Sequence, residues 1–386
     1  VANRSVRMFL LIVLSIWALM HTYVFWRLFS INWIHAHVRS WWVIGAAALL
    51  WISYPLARWL GHTRLHSAGH YLEFFSSNWM GVLFLLFSIF LIADALTLGG
   101  FLFHNRVSHI RTGAAILALG LSLIALIQGL RPPVIRNYNI RVPNLPAQRD
   151  PLTLVAISDT HLGTMISPAW MRKVIQQIEA LHPDVVCIVG DLLDSHAEKN
   201  PVLIPVLQTL RAPLGVYAVT GNHEYYVGLD HSLETLRQAG YRVLQDEWLE
   251  ATPGLIIAGV NDLTARRQFG KKEESPIPTA LANRPPGATI LLTHSPWQAE
   301  TAAKLGVNLM LSGHTHNGQI WPFNYLVHLM YPRIAGEYQV GELKVIVGRG
   351  TGTWGPRMRL WQASEIICIR LHRVPEESTR IRDRNS

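Results

Sequence analysis

The chain is poor in cysteine, with two in 386 residues, and Cys187 and Cys368 both lie in apolar runs. That excludes a disulfide scaffold and a thiolate metal cluster, and it marks both thiols as buried and free. Lysine is absent from residues 1–149, where Glu73 and Asp94 are the only acids against twelve arginines, a net of +10. The remainder carries 22 basic and 23 acidic residues, so the overall charge of +9 belongs to the first part. These arginines flank apolar segments instead of covering a polar face. They therefore exclude a nucleic-acid surface and read as a membrane feature. Internal repeats and low-complexity tracts are also missing.

What is present begins with four apolar stretches, roughly 8–29, 41–60, 79–98 and 113–130. Each is long enough to cross a bilayer, which takes about 20 residues. They show almost no polar face, which argues against four helices of a soluble bundle. The first is longer than the apolar core of a signal peptide, and no small-x-small site follows it, so it reads as a span. Arg4, Arg7, Arg58, Arg64, Arg131, Arg136 and Arg141 fall on one side of this four-span arrangement, and Arg27, Arg39, Arg106 and Arg111 on the other. The excess places the N-terminus and everything after residue 131 in the cytoplasm. Within the spans Asp94 and His21 are the polar anomalies. Two residues are too few to line a path, so they are assigned to helix packing, His21 as a neutral group bonding across helices.

Composition changes near residue 150. Residues 1–130 form the transmembrane region and 131–150, with Pro132, Pro133, Pro143 and Pro146, read as a stiff linker. Residues 151–371 form a soluble domain, and 372–386 a charged, loosely ordered tail. Five short blocks stand out in that domain: Asp159-Thr-His161, Gly190-Asp191-Leu-Leu-Asp194, Gly221-Asn222-His223-Glu224, Thr293-His294 and Gly313-His314-Thr-His316. Each follows a short apolar run that reads as a buried strand: 152–158, 185–189, 215–220, 288–292 and 307–311. The pattern predicts an α/β fold in which five strand ends carry Asp, His and Asn to one edge of a sheet, where open α/β sheets bind ligands.

The blocks offer carboxylate, imidazole and amide oxygen without sulfur, a mixture that suits manganese, iron or zinc. One carboxylate, Asp191, is placed to bridge two ions. Two metals about 3.5–4 Å apart clamp a phosphoryl group and hold a bridging hydroxide as nucleophile. One Asp-x-His means little, but five such blocks in this order are hard to obtain by chance.

The ordered set Asp-x-His, Gly-Asp-x-x-Asp, Gly-Asn-His-Glu, His and Gly-His-x-His resembles the calcineurin-like metallophosphoesterase superfamily over about residues 150–371. The four spans before it resemble transmembrane proteins with a metallophosphoesterase domain. The resemblance implies a four-layer α/β/β/α sandwich and two divalent ions, manganese first, with iron or zinc as alternatives. It implies that Asp159, His161, Asp191 and His316 bind one ion, and Asp191, Asn222, His294 and His314 the other. His223 is then the group that protonates the leaving group or stabilises phosphoryl charge, and Asp194 stands behind, orienting His223 or a ligating imidazole.

Two segments bear on substrate. The stretch after His316 contains Trp321, Phe323 and Tyr325 and reads either as core packing or as an exposed apolar flap for a bilayer or an acyl chain. The loop at 348–359 is glycine-rich and carries Arg349 and Arg357, which suit phosphate. The leading expectation is a membrane-embedded phosphohydrolase cleaving a phosphodiester or pyrophosphate of a lipid-linked substrate, UDP-2,3-diacylglucosamine-like as the specific case. The alternatives are a phosphodiesterase for a soluble nucleotide-like substrate with the spans as anchor, and a sensor or transporter regulated by its metal domain. The expected partners are the lipid bilayer and that substrate, with no nucleic acid.

Overall fold

The computed structural model describes residues 4–61, 63–194, 201–268 and 275–374. They form two compact units, a helical one up to Leu130 that also takes in Gly355–Leu360, and a second one from Arg131 onward.

The helical unit comprises α1 (Arg4–Phe29), the short α2 (Asn32–His37), α3 (Ser40–Gly61), α4 (His66–Thr97) and α5 (Val107–Leu130). Four of these helices are long and apolar enough to cross a membrane, where an α-helix satisfies its own backbone polar groups. The buried face of α5 is built largely from small residues: Ala114, Ala115, Ala118, Ser122, Ala125 and Gly129. Small side chains let backbones approach closely. Gly355–Leu360 uses that stripe: Arg359 N–H donates to the Ala125 carbonyl (2.8 Å), and a Cβ on Gly129 would collide with the Arg357 carbonyl.

Several polar residues of this unit are paired across helices. The Asp94 carboxylate lies 2.5 Å from Arg27 Nε and 3.6 Å from Arg111, and it accepts the Tyr23 hydroxyl at 2.5 Å. Trp79 Nε1–H donates to His21 Nε2 at 3.0 Å. Nδ1 therefore carries the ring proton that meets the Trp17 carbonyl at 2.9 Å.

The second unit contains β1 (Val134–Val142), β2 (Leu152–Ile157), α6 (Pro168–Glu179), β3 (Val185–Val189), α7 (Leu203–Leu207), β4 (Val216–Val219), α8 (Asn222–Val227) and α9 (Leu229–Gln238). It continues with β5 (Arg242–Val243), β6 (Glu247–Thr252), β7 (Leu255–Gly259), α10 (Leu263–Gln268), α11 (Ile277–Ala280), β8 (Ala288–Leu292), α12 (Ala299–Lys304) and β9 (Leu309–Ser312). After these come α13 (Phe323–Met330), β10 (Gly336–Val340), β11 (Leu343–Val347) and β12 (Glu365–Arg373). The strands make two mixed six-stranded sheets, ordered β1-β12-β2-β3-β4-β5 and β10-β11-β9-β8-β7-β6. Between them lies a core drawn from both, with Leu154, Val185 and Tyr217 meeting Ile257, Ile290 and Ile346. A second core packs α6, α7 and α9 on the outer face of the first sheet, and a third packs α11 and α12 on the second. The result is the expected α/β/β/α sandwich.

Two expectations change. The five ligand-bearing runs do not share a sheet: β2, β3 and β4 belong to the first, β8 and β9 to the second. Strands buried on both faces read alike as apolar runs and carry no mark of which sheet they join. The expected linker also contains a strand, β1, paired in parallel with β12 from Val134↔Glu365 to Val142↔Arg373. Its period-two pattern, with Tyr138, Ile140 and Val142 inward, was hidden between flanking prolines. The expected tail starts inside β12, and its part from 375 to 386 lies outside the described residues. Cys187 and Cys368 are buried and free.

Candidate metal centre

Each site residue sits where a strand stops. β2 hands over to Asp159 and His161, β3 to Asp191 and Asp194, β4 to Asn222 and His223, β8 to His294, and β9 to His314 and His316. Five of these leave the strand in a left-handed backbone conformation: Asp159 (φ 53°), His161 (49°), Asp191 (51°), His314 (72°) and His316 (48°). For an L-residue that region costs roughly 1–2 kcal/mol, and such strain persists only where neighbours hold it. Here backbone bonds hold it. Asp159 N–H donates to the Gly190 carbonyl (3.0 Å) and His161 N–H to the Asp191 carbonyl (3.1 Å), while His314 N–H is shared by both Asp159 carboxylate oxygens (3.0 and 3.1 Å). Two glycines make the close approach possible. A Cβ on Gly221 would strike the Asp191 carboxylate, and one on Gly313 that of Asp159.

The side chains converge in three groups: Asp159, His161 and His316; Asp191, His294 and His314; and His161, Asp194 and His223. Within each group the potential ligand atoms lie within 4.8 Å of one another. The groups interlock. His161 Nε2 and His316 Nε2 are 3.1 Å apart, His316 Nε2 is 3.3 Å from Asp159, and His294 Nε2 is 3.0 Å from Asp191 and 3.8 Å from Asp159. Asp194 faces two rings, His223 Nδ1 at 3.3 Å and His161 Nδ1 at 3.6 Å.

Two observations test whether metal ions fit. Asn222 Oδ1 is buried without a hydrogen-bond partner, a costly state for an amide oxygen unless something cationic meets it. His294 Nδ1 is 2.8 Å from the Val189 carbonyl and so carries the ring proton. A neutral ring then aims an Nε2 lone pair at a carboxylate oxygen, which is repulsive unless a proton or a metal ion lies between. The donor set of carboxylate, imidazole and amide oxygen suits a divalent ion. Metal ions fit.

The electrostatics carry the same demand for positive charge. Burial alone would raise the Asp159 carboxyl, but His316 and His294 hold it well below the usual carboxylate range. At Asp191 burial loses in the same way to His294 and His223, and at Asp194 to the hydrogen bonds from His161 and His223. Burial opposes charge on His223, yet Asp191 and then Asp194 raise it to about 9. His294 is raised well above its ordinary value by Asp191 and Asp159 against burial. His314 moves the other way, to about 3, through burial and then the charge on His294.

Sequence reasoning passed over several residues. Glu224 is fully buried; its Oε2 accepts Asp191 N–H (3.0 Å) and Gly221 N–H (2.7 Å), and its Oε1 accepts Leu193 N–H (3.0 Å). It is the third residue of α8, and a Glu at that position of a helix was its available signal. Asp262, also buried, accepts Ala265 N–H and the Ser295 hydroxyl. It follows the apolar run of β7 just as the other blocks follow theirs. Tyr331 OH lies 2.7 Å from His314 Nε2, and the rings of Tyr226 and Trp354 stand edge-on to His223 at 5.3 and 5.9 Å.

The residues expected to hold substrate fare differently. Arg349 has Glu365 as a partner, its Nε 3.8 Å away and its N–H donating to Glu365 at 3.0 Å. Arg357 groups with the helical unit, where its N–H donates to Asn78 Oδ1 at 3.0 Å. Trp321 meets the Trp361 ring at 5.3 Å. Phe323 and Tyr325 are exposed on α13, in which no residue is buried, so core packing is excluded for that helix.

Among known proteins, the family model described as calcineurin-like phosphoesterase matches residues 152–318. A transmembrane protein with metallophosphoesterase domain from Danio rerio is 34% identical over 323 residues, covering 78% of this chain and 74% of that protein. A protein of the same description from Bos taurus is 35% identical over 275 residues, 66% of this chain; the match spans 61% of the bovine protein's length. An uncharacterized metallophosphoesterase of Campylobacter jejuni is 33% identical over 274 residues, 69% of this chain and 71% of that protein.

Proposed function

Because this chain belongs to the calcineurin-like metallophosphoesterase family, we propose that it is a membrane-integral phosphohydrolase cleaving a phosphodiester or pyrophosphate bond of a lipid-linked substrate. The observation that carries the reaction class is the interlocked Asp/His groups around an unpartnered Asn222 oxygen. One ion would be held by Asp159, His161, Asp191 and His316, the other by Asp191, Asn222, His294 and His314. Two divalent ions there, manganese before iron or zinc, supply positive charge for a phosphoryl group and activate water at neutral pH.

The protein's own groups do the rest. In the ion-free site Asp191 and then Asp194 raise the His223 pKa to about 9 against burial. Asp194 faces its Nδ1, which leaves the Nε2 proton for the leaving-group oxygen. Glu224 ties the backbone of Asp191 to the start of α8, so His223 and the shared carboxylate keep one mutual position. Apolar Trp321, Phe323 and Tyr325, following His316 in the chain, support a substrate with an acyl part, and four membrane helices support it further. A UDP-2,3-diacylglucosamine-like molecule is the specific candidate. The arginine excess on one side of the spans supports a cytoplasmic catalytic unit.

The test is mass spectrometry of a total bacterial lipid extract incubated with detergent-purified full chain and Mn²⁺, against Asp191→Asn. A lipid lost with the wild type alone identifies the substrate. No lipid change from an enzyme active on a generic diester refutes the lipid reading in favour of a soluble nucleotide-like substrate.

A further inference from the structure

α13 has the wrong surface for water. From Trp321 to Tyr331 the sequence holds no Asp, Glu, Lys or Arg, and its large apolar side chains point outward: Phe323, Tyr325, Leu326, Leu329 (83% exposed) and Met330 (70%). At 100° per residue these five cover about 160° of the helix surface in one unbroken arc. Asn324 and Val327, half-buried, lie off that arc and face the domain. Other exposed apolar residues of this unit, such as Val202, Tyr226 and Leu249, sit apart on separate elements, as is usual for a soluble surface. At eight residues, α13 is about 12 Å long, too short to span a bilayer and suited to lie along one.

The chain itself supplies the bilayer. It runs into the helical unit at Gly355 and out again at Leu360, so Trp361 is one peptide bond from that unit. Trp361 in turn touches Trp321, two residues before α13. Tryptophan and tyrosine settle at the headgroup level of membranes, and here Trp361 at the approach and Tyr325 on the helix are both exposed. We propose that α13 lies in the interfacial layer of the membrane that this chain spans, with Leu326, Leu329 and Met330 among the acyl chains. The contact goes beyond the substrate assignment and does not require the substrate to be a lipid.

The test uses the full chain in lipid nanodiscs with a single introduced cysteine. Cys187 and Cys368 are buried in strands, so an environment-sensitive fluorophore goes to the new thiol, with unlabelled wild type as the check. Leu329→Cys reports on α13, and Leu249→Cys, on β6 of the second sheet, is an equally apolar control. Rate on a soluble aryl phosphodiester verifies that each labelled protein is folded. The expected result is a blue-shifted Leu329→Cys label quenched several-fold more strongly by spin-labelled phosphatidylcholine than the Leu249→Cys label. Equal quenching at both sites, or none at Leu329→Cys, overturns the proposal. A Leu329→Cys label shielded from aqueous iodide but not quenched by the lipid also overturns it and gives the face to a second copy of the chain. Quenching without turnover of any lipid would leave this contact standing while the lipid-substrate reading falls.

Discussion

Replacing Glu224 by Gln asks whether a fully buried carboxyl beside another carboxylate is charged. Burial and the neighbouring Asp191 push its pKa up, opposed by the backbone N–H groups of Leu193 and Gly221. The hydrogen bonds decide for the ionised form. Three N–H donors converge on two oxygens, and a protonated carboxyl would turn its own O–H toward one of them. Gln keeps one oxygen. Placed to serve Asp191 and Gly221, it sets an NH₂ against Leu193 N–H, losing one bond to a charged acceptor, about 1.5–3 kcal/mol. For a unit of about 150–250 residues that is a fall of roughly 3–12 °C in Tm. Glu224→Ala leaves all three donors unmet and falls further. Thermal unfolding followed by tryptophan fluorescence measures both, and manganese titration follows in parallel, because Asp191 and Asn222 lose their common anchor. If Glu224→Gln melts with the wild type and binds manganese equally well, the residue is neutral in the fold and the argument fails.

Asp191→Asn removes the carboxylate shared by both proposed ion sites. It is expected to abolish turnover, as chelation should in the wild type with recovery on adding Mn²⁺; full activity after chelation would sink the two-metal reading. In metal-stripped protein the raised pKa of His223 contributes stability that is complete below its unfolded value near 6.5 and is lost as pH rises through about 9. His314, held near 3, acts at the other end, since below about 6.5 the unfolded ring takes a proton that the folded one refuses. Tm should therefore peak near pH 6.5, and Asp194→Asn should flatten the alkaline side; a Tm constant from pH 6.5 to 9 contradicts this. In the helical unit, Asp94→Asn leaves Arg27 and Arg111 buried without their counter-charge, at a cost of about 3–5 kcal/mol. It should shorten the lifetime of the protein in detergent, and an unchanged lifetime would mean that the arginines find other anions.

The strands behind the five blocks were legible because each is an apolar run closed by residues that no core strand would carry. The helices were legible because they lack polar faces. Partnership was not legible: nothing in the Ala288–Leu292 run says that it joins a different sheet from Val185–Val189, since both are buried on both faces. β1 escaped because prolines drew attention from the alternation of Tyr138, Ile140 and Val142. Glu224 and Asp262 escaped for another reason. They act on backbone donors and hydroxyls, and which donors a carboxylate meets depends on loops that fold back from other strands.

β12 has a consequence for how the protein is made. It lies between β1 and β2, and among the described residues β1 has no other strand beside it. About 220 residues separate the end of β1 from the start of β12, which at 5–20 residues per second is roughly 11–44 s of synthesis. Throughout that interval the ribosome displays an unpaired strand with an alternating apolar face, the kind of edge that recruits other chains. The edge of β1 is thus expected to stay open until β12 is made. A premature stop before residue 365 would leave an anchored polypeptide open to proteolysis instead of a weakened enzyme.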